Sequence, residues 1–336
     1  MGLWRGFAAA ARYEFQPIVN VHSGVCYGVE ALLRGVEEAG FPDLAAVFER
    51  AEAEGAAADL ESLLIAKAID RFVSLAPPPT THLFCNMSAS GLRADGDLAG
   101  GLSALCAARG LAASLLCLEI SETAAPLARG IVRRRSLELQ RAGLAVAIDD
   151  FGRGEAGLQL IYDVAPRFLK IDELFIRKLT SDPKSKGFVA GVIRLVHQIG
   201  VTVIAEGVET EAEFLACLEI GCDLAQGRFV QSPTLDPLKL TDRYGAIEAT
   251  AEQRRHFFAG LYDHTVDEAV GSFHDAESRS RVIWRASIAT FFVNDRQRGG
   301  AEAAQGSAAQ HGGRRDRQHR GGEEDRKTCP RSSRDS

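Results

Sequence analysis

Apolar and polar residues follow two different rhythms along the chain between about residues 13 and 245. Short apolar runs rich in Val, Ile, Leu and Phe predict buried strands, and longer segments with apolar residues every three or four positions predict amphipathic helices. The predicted strands cover 13–21, 28–33, 82–88, 115–120, 145–151, 168–171, 201–205 and 224–230. The predicted helices cover 43–54, 60–75, 98–109, 127–142, 184–199 and 211–219.

Glycine follows several of the predicted helices, at Gly110, Gly143, Gly200 and Gly221. Glycine at this place commonly ends a helix before the next strand begins. An ordered run of eight strand–helix units predicts an α/β fold, and its length matches a TIM-like (β/α)8 barrel. An open, doubly wound sheet is the alternative architecture.

The alternation fades after Tyr244, and this sets the predicted domain organisation. We expect an N-terminal extension at 1–12, a barrel at 13–245, a small C-terminal segment at 246–294 that contains a helix near 252–262 and resembles a truncated module, and a Gly/Arg-rich tail at 295–336. The tail is too polar to bury a core, so we expect it to be disordered. A genuine tail and a frameshifted downstream module both fit this end of the chain.

The distribution of charge along the chain argues against nucleic acid as a partner. The chain has a formal net charge of -6, and its tail is mildly basic, so the barrel region is the acidic part. Duplex binding depends on Lys and Arg that neutralise phosphates, so an acidic barrel argues against DNA as a partner. A phosphate ligand of this region is expected to need metal ions.

The seven cysteines are odd in number and form no CxxC pair, which is typical of reduced thiols in the cytoplasm. No apolar run approaches the roughly 18 residues of a membrane helix. The N-terminus lacks the sustained apolar stretch of a signal peptide. We therefore expect a cytoplasmic protein without membrane insertion.

Polar side chains stand at or near the ends of most predicted strands. They are Glu30, Asn86, Glu119, Asp149, Asp150, Lys170, Glu206 and Gln226. The carboxyl ends of parallel barrel strands converge on one face, where this fold builds its active sites. Any one of these side chains could simply be solvated, but several carboxylates in one cavity repel each other unless cations neutralise them. Oxygen-rich ligands favour Mg²⁺ or Mn²⁺ over zinc.

Eight short motifs occur in a fixed order over about residues 13–242. They are Gln16-Pro17-Ile18-Val19, Glu30-Ala31-Leu32-Leu33-Arg34, Asn86-Met87-Ser88, Leu118-Glu119-Ile120-Ser121-Glu122, Ala147-Ile148-Asp149-Asp150-Phe151-Gly152, Leu169-Lys170-Ile171-Asp172, Ala205-Glu206-Gly207-Val208-Glu209-Thr210, and Gly221-Cys222-Asp223 with Gln226-Gly227. In this order the motifs resemble those of EAL domains, the cyclic-di-GMP phosphodiesterases.

The resemblance implies a variant TIM barrel that hydrolyses one phosphodiester bond of cyclic-di-GMP to give linear pGpG, with two Mg²⁺ or Mn²⁺ ions. It implies that one ion is held by Glu30, Asn86, Glu119 and Asp149. The second ion is assigned to Asp149 and Asp150. Two such ions would activate water and stabilise the charge of an in-line displacement.

The resemblance also implies roles for five other polar side chains, with Glu30 counted among the catalytic residues. Lys170 and Glu206 are expected to orient or deprotonate the attacking water, although Lys170 could equally be a structural counter-ion among the carboxylates. Arg34, Gln16 and Gln226 are expected to bind substrate, Arg34 through a phosphate, for which a planar, permanently charged fork is well suited. Gln16 could instead simply complete its strand.

The loop at 152–157 departs from the resemblance. Active members of the family carry a Gly-Thr-Gly-Tyr-Ser-Ser type sequence there, whereas this chain has Gly-Arg-Gly-Glu-Ala-Gly. We expect Glu209 to be the glutamate that anchors this loop, and we expect Arg153 to pair with it. The resemblance also suggests a homodimer through the barrel. The loop belongs to the family's dimer interface, so its altered sequence is expected to affect this pairing.

Two other functions compete with the phosphodiesterase. A barrel with an altered loop could be a catalytically weak receptor for cyclic-di-GMP or a protein-interaction module; retention of every expected metal ligand favours the enzyme. An unrelated metal-dependent TIM-barrel lyase would explain the ring of carboxylates but not the ordered motifs. The short N-terminus points to a separate sensor or regulatory protein, or to the region after residue 245, as the source of control.

Overall fold

The computed structural model of the chain describes residues 2–93, 96–122, 129–154, 157–236 and 240–261. Eight strands close into one barrel in sequence order, which confirms the predicted α/β barrel and excludes the open sheet. The strands are β1 (Arg12–Asn20), β2 (Cys26–Arg34), β3 (His82–Asn86), β4 (Leu116–Ser121), β5 (Ala145–Phe151), β6 (Phe168–Ile171), β7 (Thr202–Ala205) and β8 (Leu224–Ala225).

Helices occupy most of the connections between the strands of the described chain. They are α1 (Gly2–Ala10), α2 (Leu44–Ala53), α3 (Ala57–Ser74), α4 (Ala89–Arg93), α5 (Leu98–Ala108), α6 (Arg129–Arg141), α7 (Gly157–Val164), α8 (Glu173–Ile176), α9 (Pro183–Gln198), α10 (Glu211–Ile220) and α11 (Gly245–Leu261). Apolar faces of these helices pack on the outer face of the barrel, where strand residues such as Leu83 and Val146 lie. Of these helices, α1, α4, α7 and α8 had no counterpart among the predicted elements.

The first strand breaks the expected series of eight strand–helix units. β1 pairs with β2 in antiparallel register from Arg12↔Arg34 to Val19↔Cys26, and it also runs antiparallel to β8. A turn rather than a helix joins β1 to β2, where the Asn20 side chain accepts bonds from the His22 and Ser23 amides. Only β2–β8 therefore direct their carboxyl ends to one face of the barrel.

The barrel interior is filled in layers because side chains alternate between the two faces of a strand. One interior cluster contains Phe84, Cys117, Ala147, Phe168, Ile204 and Leu224. Two residues later along each of these strands, the chain carries Asn86, Glu119, Asp149, Lys170, Glu206 and Gln226. Because the period of a strand is two, the polar set faces the same interior, one layer nearer the carboxyl ends.

β8 is shorter than the predicted strand at 224–230, and local backbone geometry explains the difference. Gly227 has a φ of +154°, and a Cβ there would collide with the Val208 backbone. The Val208 amide donates to the Gln226 carbonyl at 3.0 Å, and the Phe229 amide donates to the Val208 carbonyl at 2.9 Å. The chain thus leaves the sheet at Gln226 and bonds to the loop after β7 instead.

The N-terminal extension contains a docked helix. Trp4 and Phe7 of α1 are buried, and both rings contact Phe41, at centroid distances of 6.1 and 5.7 Å. Lys67 of α3 donates to the Ala8 carbonyl at 2.8 Å, where the carboxyl end of α1 favours a cation. The sequence pattern alone gave no helix here.

Beyond residue 261 the chain lies outside the described residues, and this includes most of the segment predicted at 246–294 and all of the tail predicted at 295–336. None of the described helices has both the length and the apolarity needed to cross a membrane. Within the described chain, Cys26, Cys85, Cys106, Cys117, Cys217 and Cys222 are free thiols, and all but Cys26 are buried. Cys329 lies outside it.

Candidate metal centre

Lys170 stands at the centre of the polar layer, with its side chain 1% exposed. Its Nζ lies 2.6 Å from Glu119 Oε1, 2.7 Å from Glu206 Oε1, 3.1 Å from Asp149 Oδ1 and 3.2 Å from Glu30 Oε2. Carboxylates from four different strands or strand ends therefore surround one ammonium group. The expected convergence of these strand-end residues is present in the fold.

Glu30 links this cluster to three amide side chains, two of which donate to it directly and the third of which bonds to Gln226. Asn86 Nδ2 donates to Glu30 Oε1 at 3.1 Å, and Gln226 Nε2 donates to Glu30 Oε2 at 2.7 Å. The same Gln226 nitrogen lies 3.1 Å from Gln16 Oε1, and Gln16 Nε2 donates to the Gln231 carbonyl at 3.1 Å. Gln16 thus reaches the site from the antiparallel strand β1.

Burial and close charges shift the pKa values of several groups in this cluster far from their usual values. Desolvation and the charge of Glu30 raise the pKa of Glu119 well above its usual value. Desolvation and the charge of Asp149 do the same to the pKa of Glu206. Burial opposes the charged form of Lys170, but the four surrounding carboxylates outweigh it and hold the Lys170 pKa well above its usual value. The lysine is therefore cationic, and the acids around it repel one another.

The two consecutive aspartates reach the site through an irregular strand end. The register of β5 with β6 shifts between Ile148 and Phe151, and Asp150 has a φ of +57°, in the left-handed region. Carboxylate oxygens of Asp149, Asp150 and Glu206 lie within 4.8 Å of one another. Strain of this kind collects at functional sites because it aims side chains that regular backbone would point apart.

The residues present fit a hard divalent cation. Glu119 Oε2 is buried without a hydrogen-bond partner in the described chain, which is costly unless a cation faces it. The donor set is otherwise carboxylate and amide oxygens: Glu30, Asn86, Asp149, Asp150 and Glu206. Such a set selects Mg²⁺, Mn²⁺ or Ca²⁺ over softer ions. Burial and the neighbouring charge of Asp149 also raise the pKa of Asp150.

A cavity of about 230 Å³ opens above this layer. Its lining residues are Gln16, Glu30, Glu173, Glu206, Gly207, Glu209, Gln226, Gly227 and Arg228. Arg34, the predicted phosphate ligand, is absent from this described lining and donates to Glu14 at 2.8 Å from a half-exposed position.

In the described part of the loop that follows β5, Glu122 holds the backbone, and the contacts described for Glu209 go to Arg177 and Arg228. The Glu122 carboxylate accepts the amides of Gly152 at 2.7 Å, Gly154 at 3.0 Å and Gly157 at 2.6 Å. These glycines have the G-x-G-x-x-G spacing of a phosphate-binding turn, but here the anion in the turn is a buried side chain of the same protein. The signal in the sequence was the place of Glu122 at the end of the apolar run that also carries Glu119.

The expected pairing of Arg153 with Glu209 is wrong. Arg153 Nε lies 2.7 Å from Asp172 Oδ2, and its other nitrogens lie 3.6 Å from Asp150 and from Glu173. Glu209 pairs instead with Arg177 at 3.1 Å and Arg228 at 2.7 Å. Arg153 lies three residues after Asp150, and its contacts hold it beside the strand ends of β5 and β6.

A second buried glutamate, Glu61 of α3, supports the loop after β3. The Ser88 hydroxyl donates to Glu61 Oε2 at 2.8 Å, and the Ser88 amide donates to Glu61 Oε1. Burial raises the pKa of Glu61 to about 7, although the two Ser88 donors oppose this shift. Sequence analysis missed this residue because a lone glutamate in a helix gives no signal of its depth. Its partner lies just after Asn86, so Glu61 positions one of the candidate metal ligands.

Comparisons with known proteins agree with this geometry. The family model described as EAL domain matches residues 9–233. The chain is 32% identical to cyclic di-GMP phosphodiesterase PA2567 of Pseudomonas aeruginosa over 235 residues, 68% of this chain and 39% of that protein. Across its curated matches, the chain spans well under half the length of the relative.

Solved structures give the same picture. The EAL enzyme Bd1971 in its cAMP and cyclic-di-GMP bound form is matched with a TM-score of 0.61 and 27% identity, over 69% of this chain and 65% of that one. Klebsiella pneumoniae BlrP1, in complexes of cyclic-di-GMP with manganese or with calcium, is matched with a TM-score of 0.61 and 28% identity, over 67% of this chain and 56% of that one.

Proposed function

Because the chain belongs to the EAL domain family, we propose that it is a metal-dependent phosphodiesterase that hydrolyses cyclic-di-GMP to linear pGpG. The observation that supports this most is the cluster around Lys170, in which four of the expected carboxylates, Glu30, Glu119, Asp149 and Glu206, meet one ammonium group. We place the reaction in the cytoplasm. Pairing of two barrels and control by a separate sensor protein remain predictions.

The oxygen ligands divide between two ion positions in this proposal. Glu30, Asn86, Glu119 and Asp149 would hold one Mg²⁺ or Mn²⁺, and Asp149 and Asp150 would serve the second. Divalent ions at these positions would supply an activated water and neutralise the charge that develops on the phosphate. The 4.8 Å grouping of Asp149, Asp150 and Glu206 supports a second position beside the first.

Lys170 and Glu206 divide the remaining work. Lys170 is held cationic by its neighbours, so it cannot accept a proton, and we assign it to orienting the carboxylates and the attacking water. Glu206 lines the cavity and lies 2.7 Å from Lys170 Nζ, so its carboxylate is fixed where it can accept the proton of that water. Gln226 and Gln16 line the same cavity and are assigned to the substrate.

One observation favours the second candidate, a cyclic-di-GMP receptor with weak or no turnover. Arg153, in the altered loop, places a guanidinium nitrogen 3.6 Å from Asp150 Oδ1. A resident cation next to Asp150 competes with a metal ion for that carboxylate. Binding of the nucleotide would then survive while hydrolysis declines.

Product analysis on the full-length protein separates these functions. Cyclic-di-GMP is incubated with the protein in Mn²⁺ or Mg²⁺, beside Glu30→Ala, an EDTA control and Glu248→Gln, a variant in a surface ion pair with Arg243 outside the described cavity lining. The proposal requires pGpG that appears only with metal, disappears in Glu30→Ala and is unchanged in Glu248→Gln. Binding by calorimetry without product would establish the receptor, and neither binding nor product would overturn both functions.

A further inference from the structure

Arg228 is the one cation in the described lining of the cavity. Four carboxylates share that lining: Glu30, Glu173, Glu206 and Glu209. The Arg228 side chain is 67% exposed, so its guanidinium stands at the cavity mouth rather than in its floor. The other charged side chains of this lining are all carboxylates, so a ligand with more than one phosphate finds its positively charged partner in the lining at Arg228.

The backbone around Arg228 is fixed on both sides. Gly227 before it packs against the Val208 backbone with no room for a Cβ, and Phe229 after it donates its amide to the Val208 carbonyl at 2.9 Å. The Phe229 ring packs on Phe214 at a centroid distance of 5.5 Å. Arg228 is therefore presented from a pinned segment, and this lowers the entropy that a contact with a ligand costs.

The ion pair that Arg228 makes does not use up its binding capacity. Its Nη2 lies 2.7 Å from Glu209 Oε1, while a guanidinium carries five N–H donors. Glu209 also has Arg177, whose Nη2 lies 3.1 Å from the same oxygen. Arg177 Nη2 also lies 2.8 Å from Glu173 Oε2, so two guanidinium groups and two carboxylates balance here. What Arg228 can offer an anion is the set of N–H donors that its contact with Glu209 leaves unused.

We propose that Arg228 binds the phosphodiester of cyclic-di-GMP that is not being cleaved. The inference rests on the proposed function, because it assumes that one phosphate of the ligand lies at the metal ligands while the other needs a partner. Arg34 is paired with Glu14 and lies outside the described cavity lining. Arg228 is consequently the described side chain that can supply this charge from the cavity wall, and a guanidinium suits a phosphate by both charge and shape.

Calorimetry with full-length protein tests this with a matched control inside the same ion pair. Cyclic-di-GMP is titrated in Ca²⁺ into the wild type, Arg228→Ala, Arg228→Lys, Arg228→Gln and Arg177→Ala, and chromatography checks that the ligand stays intact. We expect Kd to rise about tenfold in Arg228→Ala and Arg228→Gln. Arg228→Lys should recover part of the affinity, and Arg177→Ala should stay within about twofold of the wild type.

Salt dependence and turnover give independent readouts. The fall of affinity with rising salt should be shallower in Arg228→Ala than in the wild type, because one charge–charge contact is lost. In hydrolysis, Arg228→Ala should raise KM and leave kcat within about twofold, since the contact lies away from the reacting bond. Melting temperatures equal to that of the wild type confirm that the variants are folded.

Three results would overturn the inference. Equal affinities of wild type and Arg228→Ala would mean that the ion pair is only structural. If Arg177→Ala weakened binding as much as Arg228→Ala, the loss of affinity would come from the disturbed Glu209 carboxylate and not from a lost phosphate contact. If Arg228→Lys bound cyclic-di-GMP as weakly as Arg228→Ala, Arg228 would contact the edge of a guanine base rather than a phosphate. If the wild type ignores cyclic-di-GMP altogether, the proposed function has failed and the inference falls with it; the first three results leave that function standing.

Discussion

Two groups of charges at the barrel mouth behave in opposite ways. The central cluster is Lys170 with Glu30, Glu119, Asp149 and Glu206. The rim network is Arg153, Arg177 and Arg228 with Asp172, Glu173 and Glu209. In the central cluster the lysine side chain is 1% exposed and serves four acids, whereas in the rim network the Arg177 side chain is 49% exposed.

The comparison shows that burial, not the number of ion pairs, decides what a charge does here. Exposed pairs are screened by water and contribute from zero to about 1 kcal/mol each. A buried charge that loses its partner costs several times more, because it has been removed from water without compensation. One lysine cannot balance four buried acids, so the central cluster is built for added cations while the rim network is already near balance.

The largest expected effect is that of Lys170→Met. Removing the ammonium group leaves four acids facing one another, so in EDTA the free energy of unfolding should fall by about 3–5 kcal/mol. Hydrolysis of cyclic-di-GMP should become undetectable. Urea denaturation monitored by circular dichroism measures the first effect, and product analysis in Mn²⁺ measures the second. Unchanged stability would mean that the four acids are already protonated and that the comparison with the rim network is wrong.

Next in size is the effect of Glu122→Ala on the loop after β5. Three glycine amides lose a charged acceptor, so we expect a loss of about 1–3 kcal/mol in stability and a fall in turnover. Hydrogen exchange at Gly152, Gly154 and Gly157 reports the loop directly. Glu209→Ala is the matched control, because the loop should keep its protection there. Equal exchange in both variants would contradict the assignment of Glu122.

Glu61 gives a pH-dependent effect of intermediate size. Its pKa is raised to about 7 in the fold from an ordinary value of 4.5, so the folded protein holds a proton that the unfolded chain has lost. The stability that Glu61 contributes is therefore present below pH 4.5 and is lost as pH rises through 7. The stability of the wild type relative to Glu61→Gln should fall by about 1–2 kcal/mol between pH 5 and pH 8. Urea denaturation in EDTA at both values checks this, and a constant difference would contradict it.

Arg177→Ala should have the smallest effect. Its partners Glu173 and Glu209 are partly exposed, and Glu209 keeps Arg228, so the loss in stability should stay within about 0.5 kcal/mol. Thermal melting at low and at high salt is the measurement, with the difference vanishing at high salt because exposed charges are screened. If Arg177→Ala lowered the free energy of unfolding as much as Lys170→Met, burial would not distinguish the rim network from the central cluster.

The sequence predicted the central cluster well and the rim network poorly, for a physical reason. Lys170 and Glu119 follow buried runs of period two, and this period determines both their face and their depth. The rim is formed by loops, where spacing along the chain does not determine distance. Arg153 was expected at Glu209 but pairs with Asp172, and the anchoring contact of Glu122 was missed.

Strand direction was the other property that the sequence pattern could not supply. The run that became β1 alternates Tyr13 and Phe15 with polar residues, whereas β5 begins with a continuous apolar run. Alternation is typical of antiparallel strands, but a half-buried parallel strand can show it too. The short turn before Cys26 was the available signal, because a parallel connection needs a dozen or more residues.

The seam between β1 and β8 is only two residue pairs long, Val19↔Ala225 and Asn20↔Leu224. Its two halves leave the ribosome at opposite ends of barrel synthesis, whereas β1 and β2 can meet as a hairpin at once. Until the last strand emerges, Glu30 lacks the amide of Gln226, and the cavity has no far wall. A nascent chain stopped short of this strand would thus carry nearly every candidate metal ligand and yet enclose no site. The site is therefore completed in one step, when translation of the barrel ends.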